Sequence, residues 1–379
     1  MIIDDKNITN MNTTKMQNWN FNHLKRIVLL SFLLVFTTHC QKENQEITEE
    51  KEIEIRTQKE VALGTTPGII VGTIKNGEIR TYAFGKANIA ENTGIDSYTI
   101  FEIGSITKTF TALLAAQQTL NGNLDLQNPA NMYLPSNLQL PARNGMNIRV
   151  QDLLNHTSGL PREPLDLDYT HPFEYTESQM SSYLNQTQLI SDPGTSFLYS
   201  NTGMGLAGYL LALNQNTSYS GLVEQNIFDS LQMQHSYCLP EDQPQSNVAQ
   251  GYMNRSPRDM LDMSDYFQGA GTIKSNMHDM LLYLNNLMSE ESVLQEAFDL
   301  TLAPTFEAAE TIELCLGWIK GKNQANQWIY FHDGGTMGFS SFIGFNREEK
   351  YGVVVLMNSY CFDGEQDAIG IDILEILGE

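Results

Sequence analysis

The chain is 379 residues long, enough for one large domain or two. Apolar residues make up 41 % of it and charged residues 18 %, which supplies a substantial core and excludes disordered, collagen-like and coiled-coil classes. The charge is acidic, 22 basic against 45 acidic residues for a net −23, and such a surface repels phosphate backbones, so no nucleic-acid partner is expected. Cys40, Cys238, Cys315 and Cys361 are too few and too scattered for a disulfide framework or a Cys-rich metal site.

The first forty residues read as an export signal rather than as fold. Lys25-Arg26 precede an uncharged run from Ile27 to Phe36; at about 1.5 Å per residue that run cannot cross a ~30 Å hydrocarbon core. A basic flank, a short apolar stretch and the small Thr37 and Thr38 describe a secretion signal, with Met16 as an alternative start. Cys40 follows, and this arrangement resembles the lipobox of bacterial lipoproteins, although His39 stands where a small residue is usual. The resemblance implies acylation of Cys40 and an exported chain tethered in the periplasm or at the outer membrane. The plainer reading is an ordinary cleaved signal or an uncleaved anchor. Residues 41–60 hold no aromatic and many Glu and Lys, so they are expected to form a solvated acidic tether, with the folded domain spanning 61–379.

Within that domain, Gly68 to Lys75 and Ile79 to Phe84 flank Asn76-Gly77, the strongest short hairpin signal. Residues 121–265 carry many Pro, Asn, Gln and Ser between short apolar runs and read as a mainly helical, loop-rich insertion. Met277, Met280, Leu281, Leu284, Leu287 and Met288 fall at helical spacing after a Ser275-Asn276 cap, and this stripe reads as core. Phe342 to Phe345 and Gly352 to Met357 form a second hairpin around Arg347-Glu348-Glu349-Lys350. Hairpins at both ends predict an α/β fold: one antiparallel sheet assembled from both chain ends and flanked by helices.

The chemistry concentrates in Glu102-Ile103-Gly104-Ser105-Ile106-Thr107-Lys108, followed by a helical pattern that ends at Asn121-Gly122. Ser105 is placed at a helix start with Lys108 one turn on and on the same face. A serine hydroxyl needs a base within reach, and a lysine desolvated behind it can be that base. The helix N-terminus would also stabilise developing negative charge. This Ser-x-x-Lys is the only one in the chain. Its bland reading is a capping serine followed by a solvated lysine.

The segment resembles the nucleophile motif of the penicillin-recognising serine hydrolases: class C β-lactamases, D-Ala-D-Ala carboxypeptidases and family VIII esterases. Three further elements follow in the family's order over residues 61–360: Asn155-His156-Thr157-Ser158-Gly159, Pro193-Gly194…Tyr199-Ser200-Asn201, and Gly269-Ala270-Gly271-Thr272. Tyr-x-Asn occurs at Tyr183, Tyr199, Tyr252 and Tyr283, and only Tyr199 carries the Pro-Gly lead-in. The resemblance implies that Tyr199 is the second proton-transfer group and that Asn201 holds the substrate's amide or carbonyl. It implies a structural role for His156, which is expected to satisfy backbone carbonyls at a helix end. Where the family carries Lys-Thr-Gly, this chain reads His332-Asp333-Gly334. Gly334 is expected to let substrate approach the strand, and Gly335 to supply an oxyanion-hole N–H beside that of Ser105. His332 in place of lysine leaves an imidazole opposite any substrate carboxylate, with Asp333 expected to favour its charged form.

Other chemistries find no motif here. Gly-x-Ser-x-Gly, His-Glu-x-x-His, Cys-x-x-Cys and a phosphate loop are all absent, so no cofactor or metal is expected. The sequence therefore reads as an exported serine acyl-enzyme hydrolase, with D-amino-acid peptides of peptidoglycan as the first substrate expectation. β-Lactams come second and esters third. The non-enzyme alternative is a silent cell-envelope binding protein on the same scaffold, which would have no need of Ser105, Lys108 and Tyr199 together.

Overall fold

The computed structural model describes residues 48–168 and 174–379; the apolar run and Cys40 lie outside the described residues. Eight antiparallel strands form the main sheet: β1 (Gly68–Lys75), β2 (Glu78–Gly85), β3 (Phe306–Ala309), β4 (Ile312–Leu314), β5 (Ile319–Lys322), β6 (Trp328–Gly335), β7 (Ser340–Asn346) and β8 (Tyr351–Met357). Their spatial order is β2-β1-β8-β7-β6-β5-β4-β3, so the N-terminal hairpin docks on the last strand and both chain ends share one sheet. Asn76 and Gly77 take φ of 52° and 83°, the pair of left-handed residues a type I′ turn requires.

Both faces of the sheet are covered, which is why β8 reads Gly-Val-Val-Val-Leu-Met without alternation. Val71, Val353 and Val355 pack with Ile53, Ile369 and Ile373 on one side. Ile70, Val354 and Leu356 pack on the other with Phe110 of helix α2 (Thr107–Leu120) and Leu281 of helix α4 (Met277–Met288). Helix α3 (Asn201–Gln215) starts at the Ser200 cap, whose hydroxyl accepts from Gly203 N–H, and α5 (Glu365–Gly378) closes the chain. The 121–265 region is helical and loop-rich as expected, with one small hairpin of Gly251–Met253 and Ser256–Arg258.

The tether expectation is corrected. Glu49–Leu63 is a helix, α1, capped by Thr48 and closed by Gly64 at φ 75°. Three glutamates in its first turn suit the positive end of the helix dipole. Ile53, Thr57 and Glu60 form its buried stripe, and Arg56 binds Glu60 at 2.5 Å and Asp372 of α5 at 2.7 Å. A stripe with one large apolar residue and a buried, paired carboxylate carries almost no hydrophobic periodicity, so composition alone read it as solvated.

Candidate active site

Ser105 sits in a single 3₁₀ turn, Gly104–Ile106, that runs straight into α2. The turn rests on the end of β6. A Cβ on Gly104, at φ 49°, would lie 2.8 Å from Gly335 N and 3.0 Å from Gly335 O, so only glycine permits this approach. The Gly334 expectation changes in the same way: a Cβ there would meet Ile103 O at 2.2 Å and Ser341 Oγ at 2.3 Å. Gly334 thus makes room for the nucleophile turn, not for substrate. Ser341 Oγ donates to Ile103 O at 2.8 Å and clamps that turn to β7. Gly335 is the exposed last residue of β6, and its backbone lies against Gly104, the residue before Ser105.

The strand that leads into the turn and its partner strand carry two buried ionisable residues. Glu102 faces Lys274 across the two-stranded pairing of Phe101–Glu102 with Lys274–Ser275. Burial raises the Glu102 pKa and lowers that of Lys274. Glu102 also accepts from Thr336 Oγ1 at 2.5 Å and from Leu261 N–H. One carboxylate therefore ties the strand before Ser105 to the turn after Gly335.

Lys108 is completely buried, with Nζ 2.9 Å from Ser105 Oγ and 2.6 Å from Ala270 O. Burial drives its pKa well below the ordinary lysine value, and the nearby Arg162 charge adds to the effect. The neutral amine then has an N–H for the Ala270 carbonyl and a lone pair for the Ser105 proton. Tyr199 completes the group: its ring centroid is 5.0 Å from Lys108 Nζ and 4.9 Å from Arg162 Cζ. Burial raises the Tyr199 pKa, so it is a phenol.

His156 holds that phenol in place. Its ring stacks on Tyr199 at 4.3 Å with 28° between planes. Its Nδ1 accepts from Ser200 N–H at 3.2 Å, so it caps an N–H and not the carbonyls expected. Burial keeps it neutral, its pKa far below 6.5. Asn201 Nδ2 donates to Glu163 Oε1, which leaves Oδ1, buried and without a protein partner among the described residues, to accept from a ligand N–H. Two of the other three Tyr-x-Asn tyrosines lie elsewhere: Tyr283 is core, stacked on Phe110, and Tyr252 OH accepts from Ile89 N–H.

His332 enters the site from β6, its ring 6.4 Å from that of Tyr199. Burial outweighs Asp333, which does favour the charged form, and pushes the His332 pKa down to about 4, so the net shift is opposite to the upward one expected. Nδ1 lies 2.6 Å from Asp333 O, and a carbonyl only accepts, so Nδ1 carries the proton. Nε2 is left as a lone pair.

Residues 56–375 match the Beta-lactamase family. The chain belongs to that family. A Pseudomonas fluorescens protein named Beta-lactamase is 30 % identical over 251 residues, 65 % of this chain and 68 % of that one. A Yersinia enterocolitica protein of the same name is 26 % identical over 346 residues, 81 % of this chain and 86 % of its own. A solved structure titled "A class C beta-lactamase" superposes with a TM-score of 0.74 at 25 % identity, covering 89 % of this chain and 98 % of its own. The chain is a serine hydrolase of the beta-lactamase family with the class C fold.

Glu102, Ala270 and the Arg162–Glu163 pair at 3.4 Å are site-building residues that motif spacing does not reveal. Ala270 contributes only a carbonyl, and Glu102 acts through partners more than 150 residues away.

Proposed function

We propose that this beta-lactamase-family hydrolase forms an acyl-enzyme at Ser105 and that β-lactams are its first substrate class, ahead of D,D-peptides. The observation that carries the chemistry is the buried Lys108 amine 2.9 Å from Ser105 Oγ. Ser105 Oγ bonds to the carbonyl carbon while its proton passes to Lys108 Nζ. The Ser105 and Gly335 N–H groups hold the oxyanion. Collapse breaks the carbon–nitrogen bond, and the leaving nitrogen takes the Tyr199 proton, which Lys108 replaces. Water then cleaves the ester, with the protons moving in reverse. The protonated Tyr199 and neutral Lys108 favour the lysine as acylation base.

The β-lactam reading rests on the names of the relatives. Uncharged esters are a second reading, favoured by His332, whose neutral Nε2 offers no cation to a carboxylate. We propose also that the chain is exported and anchored through Cys40. Turnover of nitrocefin, a D-Ala-D-Ala peptide and a short nitrophenyl ester, each with Ser105→Ala as control, tests the assignment. Nitrocefin hydrolysis abolished in the variant supports it; turnover of the ester alone moves the enzyme to the second reading. Undiminished turnover by Ser105→Ala removes the nucleophile assignment.

A further inference from the structure

Away from the Ser105 site, one cluster among the described residues has ligand chemistry that the hydrolase reading leaves unused. His235, in the turn after the short helix Asp229–Leu231, meets His278 and Asp279 in the first turn of α4, and each offers one ligand atom within 4.8 Å of the others. His278 Nδ1 is 3.1 Å and His235 Nδ1 3.5 Å from Asp279 Oδ1. A tetrahedral ion with ligands at about 2.0–2.2 Å sets neighbouring ligand atoms about 3.3–3.6 Å apart. Two of the three edges are therefore already near the spacing a metal imposes.

The carboxylate is aimed. Asp279 is completely buried, and its Oδ2 accepts from His235 N–H at 2.8 Å and Ser236 Oγ at 2.9 Å. Oδ1 is left to face the imidazoles, the kind of outer-shell support metal ligands need. Tyr98 fixes both rings, stacked on His278 at 5.1 Å and edge-on to His235 at 5.2 Å. The two imidazoles remain 42 % and 47 % exposed, so an ion reaches them from solvent and water completes its shell.

We propose that His235, His278 and Asp279 form a Zn²⁺ site. Two imidazoles and one carboxylate suit zinc and exclude the all-oxygen shells of Mg²⁺ and Ca²⁺. The ion fastens the 235–236 loop to α4. Ser236 Oγ lies 2.8 Å from Ser275 Oγ, and Ser275 pairs with Phe101. The clamp thus braces the short strand that leads into the nucleophile turn, without touching the reacting atoms.

The full-length protein, stripped with chelator, is titrated with Co²⁺ by visible absorption and with Zn²⁺ by calorimetry, beside His235→Ala/His278→Ala. The wild type should bind one more equivalent than the double variant, with tetrahedral Co²⁺ bands. At about a hundredfold excess of Zn²⁺ over its dissociation constant its Tm should rise by about 4 °C, with no rise in the variant. Circular dichroism follows the fold of the variant. His278→Asn, which keeps a polar partner for Asp279, should weaken binding by more than about tenfold and serves where the double variant unfolds. Equal stoichiometry in wild type and variants, or Co²⁺ bands of the hydrated ion, overturns the site and leaves two ordinary histidine–aspartate hydrogen bonds.

Discussion

Replacing His332 by lysine should raise the rate of acylation by penicillin at pH 7 by roughly ten- to a hundredfold. That is the worth of one charge-assisted hydrogen bond of about 1.5–3 kcal/mol to the substrate carboxylate. The wild-type imidazole cannot supply it. With its pKa at about 4, about one molecule in a thousand is protonated at pH 7, and only about 3 % at pH 5.5. A lysine in the same place starts about four units higher, so an equal burial penalty leaves it near 8 and mostly charged at pH 7. The assay is the second-order acylation rate from pH 5.5 to 8.5, for penicillin and for an uncharged nitrophenyl ester. In the wild type the penicillin-to-ester ratio should change by no more than about fourfold across that window and rise steeply only toward pH 4. In His332→Lys the ratio should be high at pH 6–7 and fall as the amine loses its proton. A wild-type ratio that climbs by more than about tenfold as pH drops from 8.5 to 5.5 would refute the claim that burial wins over Asp333. Identical ratios in the two proteins would show that residue 332 does not face the carboxylate.

Lys108→Ala should lower acylation by about two to four orders of magnitude, the usual worth of a positioned proton acceptor; burst kinetics with nitrocefin measures it, and a loss under tenfold removes Lys108 as base. Ile53→Ala should destabilise the protein by about 2–4 kcal/mol in urea unfolding, since Ile53 is 1 % exposed, whereas a change under about 0.5 kcal/mol would return α1 to a tether. Cys40→Ser should abolish lipid modification and release the chain from the membrane fraction; unchanged detergent partitioning favours an uncleaved anchor.

The parts of the fold and site that the sequence disclosed are those written in short windows. Asn76-Gly77 sets a turn by its own backbone preference. Ser105 and Lys108 are three apart on one helical path, so spacing alone brings Nζ near Oγ. Tyr199 is singled out among four Tyr-x-Asn tripeptides by its lead-in and cap. The rest is written across the chain. Lys108 depends on a carbonyl 162 residues away, and a backbone oxygen has no side-chain signature. Helix α1 hides because its buried stripe includes Glu60 and its partner Arg56, which read as solvent. Gly334 reads as a substrate-facing glycine in sequence because its true neighbour, the Ile103 backbone, is set by tertiary packing. The His332 pKa went the wrong way for a related reason: Asp333 is adjacent in sequence, but burial is not.

Burial acts in one direction on every nitrogen base at this site. Lys108, His156 and His332 are each driven toward the neutral form mainly by desolvation. The pocket therefore presents Ser105 with an unprotonated base and carries little positive charge. The permanent guanidinium of Arg162 is already offset by Glu163 at 3.4 Å. An anionic substrate approaching a chain of net charge −23 meets no compensating cation on β6. The same burial links stability to pH with one sign. Between the folded value of about 4 and the unfolded value near 6.5, the unfolded chain holds a proton on His332 that the native chain does not. Stability from His332 is complete above pH 6.5 and is lost as pH falls toward 4, by at most about 3 kcal/mol. His156 adds to the loss with the same sign, and Lys108 extends it upward, because its unfolded amine stays protonated to about pH 10. The arrangement that readies Ser105 for attack is thus one that keeps its bases uncharged and is most stable in the neutral-to-alkaline range.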